Sequence, residues 1–230
     1  MINLSVIVPF FNEEQFLDES VKRLLSNDIY TSIYLIDNNS TDNSNKIAKI
    51  LAERYEKIEL FKTGKNKGKG SALAFSKNLI NTSHVVIHDA DLEYFPEDII
   101  EMFELAKQNQ KSLILGSRFI GSKKRKNIYL RTFLANRAMS LFFSLVNSYK
   151  ISDVASCYKL MPAEYFKNIE LKENGFSIEI ELLSKFLKFN RSVLEVPISY
   201  EGRSYADGKK IKATDGLQYL FNTIKYRFIN

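Results

Sequence analysis

Cysteine is nearly missing from this chain: its 230 residues include one, Cys157. No intramolecular disulfide can form, and a reducing compartment, the cytoplasm, is the expected setting. Long hydrophobic runs are lacking as well. The longest, residues 138–149, falls well short of the ~20 apolar residues that cross a bilayer and suits a core or interfacial helix. No basic region or small-residue cleavage site precedes the first apolar strand, so no signal peptide is expected. Repeats, low-complexity tracts and linker-like stretches are absent, which makes one domain over residues 1–230 the expectation.

Acidic residues vanish between Glu104 and Asp153, an interval that holds Lys107, Lys111, Arg118, Lys123, Lys124, Arg125, Lys126, Arg131, Arg137 and Lys150. This unevenness matters more than the net charge of +6. It marks a footprint for a phosphate-bearing partner (nucleic acid, anionic lipid or nucleotide), or else a solvated basic loop.

What is present reads as an α/β protein with a mostly parallel sheet flanked by helices. Short apolar strands near residues 4–8, 32–36, 57–61, 84–87 and 112–115 alternate with helical patterns over 13–25, 43–55, 71–81 and 96–108. The second half is less regular, with helices over 131–147, 179–189 and 216–228 and a strand over 193–198.

The most informative segment is His88-Asp89-Ala90-Asp91-Leu92-Glu93, which follows the apolar run Val85-Val86-Ile87. Side chains alternate along a strand, so Asp89 and Asp91 share a side if extended geometry persists. Two carboxylates there repel unless a cation lies between them, and Mg²⁺ or Mn²⁺ suits that need, held by carboxylates and substrate phosphates. The plainer reading is an acidic turn before the helix at Pro96.

Other strand ends also carry ligand-type residues, at the edge where open α/β sheets bind ligands. The first strand leaves through Pro9-Phe10-Phe11-Asn12-Glu13, and the second through Asp37-Asn38-Asn39-Ser40-Thr41-Asp42, a base- and ribose-binding cluster or a helix cap. The glycines and lysines of residues 64–71 permit close backbone approach and favour anions, but their spacing matches neither the P-loop nor the dinucleotide fingerprint. His84 and His88 lack partners at metal-ligand spacing and read as structural.

In this order the segments resemble the family-2 glycosyltransferases of GT-A (Rossmann-like) fold, and more closely the branch that makes polyprenyl-phosphate (dolichyl-phosphate) mannose or glucose. The carriers are the Val8-Pro9-Phe10-Phe11-Asn12-Glu13 exit, the Asp37-to-Asp42 cluster, Asn66 to Gly70, Asp89-Ala90-Asp91-Leu92-Glu93, Gly116-Ser117-Arg118, Asp153 to Lys159, and Val196 to Ile211. Two departures are Asn38-Asn39, where Asp-Gly is commoner, and the lack of the membrane-spanning tail that some relatives carry.

The resemblance implies inverting transfer of a hexosyl unit from a nucleoside-diphosphate sugar, of the GDP-mannose or UDP-glucose type, to a polyprenyl phosphate. Asp89, Asp91 and Glu93 would hold Mg²⁺ or Mn²⁺ against the leaving diphosphate. Pro9, Phe11, Glu13, Asp37, Asn38, Lys69, Asp89, Ala90 and Lys209 would line the nucleotide pocket. Arg118, Arg131 and Arg203, with Lys209 and Lys210, would steer the acceptor phosphate, since guanidinium groups clamp phosphates bidentately. Residues 1–115 would then be the nucleotide-binding half, and 116–230 the acceptor-binding, membrane-facing half. Lys123 to Lys126 ahead of the 131–147 helix, with residues 216–228, suit peripheral contact with the cytoplasmic membrane surface, although core packing explains the same stripes.

Two rivals stand beside this reading. A same-fold enzyme acting on a sugar hydroxyl needs a base, for which Asp153 is the candidate. A nucleic-acid-binding module would use the basic belt, but the aromatics lie in apolar patterns rather than among the lysines, so no nucleic-acid partner is expected. Glu179 is open between lining the acceptor side and lying on an ordinary helix surface.

Overall fold

The computed structural model describes residues 2–203 and 213–229. Along the chain run β1 (Leu4–Phe10), α1 (Leu17–Leu25), β2 (Tyr30–Asp37), α2 (Ser44–Arg54), β3 (Ile58–Lys62), α3 (Lys69–Ser76), β4 (His84–Ile87) and α4 (Glu97–Gln108). Then come β5 (Leu113–Ser117), β6 (Arg125–Lys126), α5 (Leu130–Asn147), β7 (Lys159–Pro162), α6 (Ala163–Asn168), α7 (Ile178–Phe189), β8 (Val193–Pro197), β9 (Tyr200–Glu201) and α8 (Ala213–Phe228).

Seven strands form one sheet in the order β3-β2-β1-β4-β7-β5-β8. Every residue of β1 is buried, as expected of a central strand covered by helices on both faces. β1 pairs in parallel with β2 and β4, and β5 in parallel with β8, whereas β7 runs antiparallel between β4 and β5. The mixed, mostly parallel sheet flanked by helices is the single-domain architecture the sequence predicts.

Three differences from the sequence reading follow from tertiary context. The stretch expected to open α1 at Glu13 is a turn, and the helix begins at Leu17. α3 starts two residues earlier than predicted and ends at Ser76, not Asn81. β7 and α6 went unseen, because a four-residue strand opening on a buried lysine carries no alternation for a pattern to reveal.

The register aligns the carboxyl ends of the parallel strands. Phe10 of β1 pairs with Asp37 of β2, and the Asn38 N–H donates to the Phe10 carbonyl at 2.8 Å. The His88 N–H donates to the Ile7 carbonyl at 2.9 Å, so Asp89 to Asp91 emerge beside the exit of β1. Because β7 is antiparallel, its amino end, with Cys157, Tyr158 and Lys159, arrives at this same edge. β6 and β9 pair in a separate ribbon, and Tyr94 bridges to Tyr200, which draws the chain after β8 back over the edge.

Candidate active site

A cleft of about 630 Å³ opens along that edge. Pro9, Phe11, Glu13, Asn38, Asp89, Ala90, Asp91, Glu93, Arg118, Arg131, Met139, Phe176 and Tyr219 are among the residues that line it. Residues far apart in sequence meet here because the strand ends converge. The nucleotide-type residues and the phosphate-type arginines therefore occupy one continuous space.

Asp91 is met by a cation from the chain itself. Arg203 Nη2 lies 2.9 Å from Asp91 Oδ2, and both terminal nitrogens of that guanidinium lie 3.3 Å from the Glu13 oxygens. Its plane is backed by the Phe16 ring at 5.0 Å. Glu93 is committed elsewhere: it accepts the Tyr200 hydroxyl at 2.7 Å and the Arg203 backbone N–H at 2.8 Å. Glu93 thus holds the chain that delivers Arg203, and among the described residues Asp89, Asp91 and Glu93 do not converge on one point as the expected three-carboxylate set would. Burial, then the neighbouring Glu93 and Asp89 charges, push the Asp91 carboxyl up to about 7 despite the opposing Arg203.

Asp89 has different company. Lys69 Nζ lies 2.7 Å from Asp89 Oδ1 and 2.8 Å from Glu179 Oε1. Burial alone would raise the Asp89 carboxyl, but the Lys69 ammonium outweighs it and holds the group below its ordinary value. Lys69 therefore faces carboxylates on the cleft floor. Glu179 is no surface acid: it is buried, and its second oxygen pairs with the fully buried Lys159.

Arg118 is clamped. Its Nε and Nη2 bond the two oxygens of Asp153 at 2.7 and 2.8 Å, and its backbone N–H adds a third bond at 2.9 Å. The guanidinium stacks on Tyr200 at 5.0 Å and still lines the cleft. Asp153 is completely buried, so it has no access to a substrate hydroxyl. Arg131, near the start of α5, is exposed on the cleft wall, and its side chain makes no hydrogen bond or ion pair among the described residues. Lys209 and Lys210 lie outside the described residues.

The second strand exit behaves differently from expectation. Asp37 is fully buried and off the cleft wall, accepting the Ser40 N–H at 2.8 Å and the Asn45 amide at 2.7 Å, so it braces the turn into α2. Asn38 does line the cleft, but its amide is fixed: it donates to Asn66 Oδ1 and the Gly68 carbonyl and accepts from the Thr63 hydroxyl. The glycines after β3 serve packing. A Cβ on Gly70 would sit 2.0 Å from the Glu173 carbonyl oxygen, and Gly68 adopts φ +105° with a Cβ position 2.5 Å from the Asn174 carbonyl oxygen. The Asn174 carbonyl takes the Gly70 N–H at 2.7 Å, so the start of α3 is capped by protein.

Several participants escaped the sequence reading. Tyr200 orients Glu93 and covers Arg118. Cys157 Sγ lies 3.3 Å from Lys69, and Tyr94 supports the Cys157 backbone. His88, expected to be structural, is buried between the Ser20 and Tyr158 hydroxyls at 3.0 and 2.9 Å. Tyr200, Cys157 and Tyr158 all fall within the motifs quoted above, which was the available signal.

The donor chemistry at Asp89 and Asp91 is hard oxygen, and burial, with the Glu93 and Asp89 charges behind it, keeps the Asp91 carboxyl raised against the opposing Arg203. Among the described residues no three carboxylate, imidazole or thiol groups converge on one point. A cation here would take one or two carboxylates and complete its shell from substrate oxygens, the usual manner of Mg²⁺. On those terms the residues fit a divalent ion.

Comparison with known proteins decides the family. A family model described as glycosyl transferase family 2 matches residues 5–170. The chain belongs to glycosyl transferase family 2. This family-2 chain is 28% identical over 233 residues to the dolichol-phosphate mannosyltransferase of Pyrococcus furiosus, covering 98% of this chain and 64% of that one. It is 27% identical over 225 residues to the UDP-N-acetylglucosamine--dolichyl-phosphate N-acetylglucosaminyltransferase of Methanococcus voltae, covering 90% and 89%. Among solved structures, glucosyl-3-phosphoglycerate synthase of Mycobacterium tuberculosis in complex with UDP superposes with a TM-score of 0.75 at 16% identity, covering 100% of this chain and 81% of that one. The same enzyme with Mn²⁺, UDP and glucosyl-3-phosphoglycerate gives 0.72 at 14%, covering 98% and 80%. These likenesses establish a GT-A-type fold, and the family makes this protein a glycosyltransferase.

Proposed function

We propose that this glycosyltransferase moves a hexosyl unit from a nucleoside-diphosphate sugar to a polyprenyl phosphate, with inversion at the anomeric carbon. The observation that carries the choice of acceptor is the Arg118–Asp153 pair. The one carboxylate offered as a base for a hydroxyl acceptor is sealed in the core, and it holds a guanidinium on the cleft wall instead. A phosphate acceptor is already anionic and needs positioning, not deprotonation. Arg118, Arg131 and Arg203 on one cleft supply that. The names of the curated relatives, which act on dolichol phosphate or dolichyl phosphate, agree.

In the step, an acceptor phosphate oxygen attacks the anomeric carbon while the bond from that carbon to the diphosphate oxygen breaks. The electron pair leaves with the nucleoside diphosphate, and no proton is transferred. Residues 1–115 supply the donor side through Pro9, Phe11, Glu13, Asn38, Asp89 and Asp91, while 116–230 supply Arg118, Arg131 and Arg203 for the acceptor. A Mg²⁺ or Mn²⁺ ion held at Asp91 and Asp89 would offset the charge growing on the leaving diphosphate. Arg203 orients the incoming phosphate once it has released Asp91.

The same proposal places the protein on the cytoplasmic surface of a membrane. No helix of the described residues is long and apolar enough to cross a bilayer. α5 and α8 nevertheless expose Leu130, Leu134, Leu141, Leu145, Leu217, Phe221 and Phe228, and α5 itself carries Arg131 and Arg137, whereas Lys123 and Lys126 are paired with carboxylates. The cleft reaches between these helices at Met139 and Tyr219, a route for a lipid tail.

The experiment is a transfer assay with labelled GDP-mannose, UDP-glucose and UDP-N-acetylglucosamine, each offered polyprenyl phosphate or a free glycan, with Mn²⁺ and with chelator. Metal-dependent label in the lipid phosphate is the expected result. Label in the glycan alone overturns the acceptor assignment.

A further inference from the structure

The cleft floor carries a row of alternating charges of which the transfer step above uses only Asp89. Asp89 meets Lys69 at 2.7 Å, Lys69 meets Glu179 at 2.8 Å, and Glu179 meets Lys159 at 2.5 Å. Asp89, Lys69 and Glu179, the last at the first turn of α7, line the cleft floor, while Lys159 at the start of β7 is sealed in the core behind them. The Lys159 ammonium is also satisfied by the Val154 and Ser156 carbonyls. Burying the Lys69, Glu179 and Lys159 charges is costly relative to apolar packing of similar volume, so stability alone is a weak reason for such a row. Its geometry supplies a better one.

We propose that Glu179 is a positioning residue for glycosyl transfer, acting through Lys69 on Asp89. An ammonium has three donors and no preferred plane, so its position is set by the anions around it. Glu179 Oε1 has no aligned hydrogen bond and meets Lys69 as an ion pair, an anchor that holds the lysine on the cleft floor and shares its charge with Asp89. Held between two carboxylates, Lys69 fixes Asp89 Oδ1 and leaves Oδ2 for the donor complex. With Glu179 neutral, the whole ammonium charge falls on Asp89 and competes with any cation or donor hydroxyl it would serve. With Lys69 neutral, Asp89 is released and its full negative charge is offered. The two substitutions therefore push the cation-holding power of the site in opposite directions, although both break one ion pair of the same row. The second half of the chain thereby sets the charge of a donor-side carboxylate.

The inference rests on the reading that the cleft takes a nucleoside diphosphate with a divalent cation. The test is Mn²⁺ titration, followed by the paramagnetic resonance of free Mn²⁺, in the presence of UDP and separately of GDP. The unaltered chain is compared with Glu179→Gln and Lys69→Gln. Because Glu179→Gln strips Lys159 of its carboxylate, the double variant Glu179→Gln/Lys159→Met, which removes both charges of that buried pair, is measured alongside. Weaker Mn²⁺ binding by about threefold or more in both Glu179 variants, with tighter binding in Lys69→Gln, is the expected result. Steady-state rates should show kcat falling in Glu179→Gln more than the donor KM rises. Shifts of the same sign in the folded Glu179 and Lys69 variants, or no shift, overturn the proposal. Absence of Mn²⁺ binding by the unaltered chain overturns the cation reading itself, and this inference with it.

Discussion

The guanidinium of Arg203 lies 2.9 Å from Asp91 Oδ2, on the carboxylate that the D-x-D pattern offers to a metal ion. One residue thus stands where the proposed divalent cation would stand, and in the proposed reaction it also positions the acceptor phosphate.

Arg203→Ala should separate these two relationships. Turnover is expected to fall about 100-fold, the usual scale for losing one group that stabilises transferring charge. Mn²⁺ affinity without acceptor should rise, because Asp91 loses a competing cation. Equal losses of turnover and of nucleotide affinity would reassign Arg203 to the donor. Asp91→Ala should abolish metal-dependent transfer while leaving the thermal transition nearly unmoved.

Asp153→Ala leaves Arg118 buried without its carboxylate, a change expected to cost about 3–5 kcal/mol in urea unfolding. The pair Arg118→Met/Asp153→Leu should recover most of that stability while remaining inactive. A stable, inactive Asp153→Ala protein would instead restore Asp153 as a candidate base.

His88 is pushed down to about 4, chiefly by burial, from an ordinary value near 6.5. The unfolded chain therefore binds a proton between these values that the folded chain refuses, so stability is complete above pH 6.5 and declines as pH falls toward 4. The full effect is about 3 kcal/mol, because each tenfold loss of proton affinity on folding corresponds to ~1.4 kcal/mol. The difference in unfolding free energy between the unaltered chain and His88→Gln, followed from pH 7 to 4, should shrink by roughly that amount. A constant difference would show that folding leaves the proton affinity of His88 unchanged.

Leu134, Leu141 and Leu145 are 56%, 63% and 70% exposed on α5, so replacing all three by glutamate removes little core packing. The thermal transition should stay within a few degrees, while co-sedimentation with vesicles of anionic phospholipid should be lost. Retained vesicle binding would move the contact away from α5.

Much of this fold was readable from local pattern. β1, β2 and β4 are apolar runs that end in polar clusters, and the paired aspartates stand at the edge their position after β4 predicts. What stayed hidden depends on contacts between distant residues. Nothing near Glu93 announces that Tyr200 and the Arg203 backbone will occupy its oxygens, and nothing near Lys69 announces Glu179. The glycines at 68 and 70 were read for ligand approach, yet what approaches them is the backbone of residues 173–175. Asp37 has the composition of a ligand residue and the burial of a turn brace, a distinction that solvent exposure makes and sequence does not.

The reversed direction of β7 bears on how the molecule is assembled during synthesis. β4 and β5 never pair with each other; only β7 joins them, and β8 arrives later still. A nascent chain ending near residue 115 would hold β4 with one unsatisfied edge and β5 with no strand partner at all, an invitation to mispairing. Closure of the sheet therefore waits until Pro162 has left the ribosome, and a truncation between those points should be a substrate for chaperones rather than a working half.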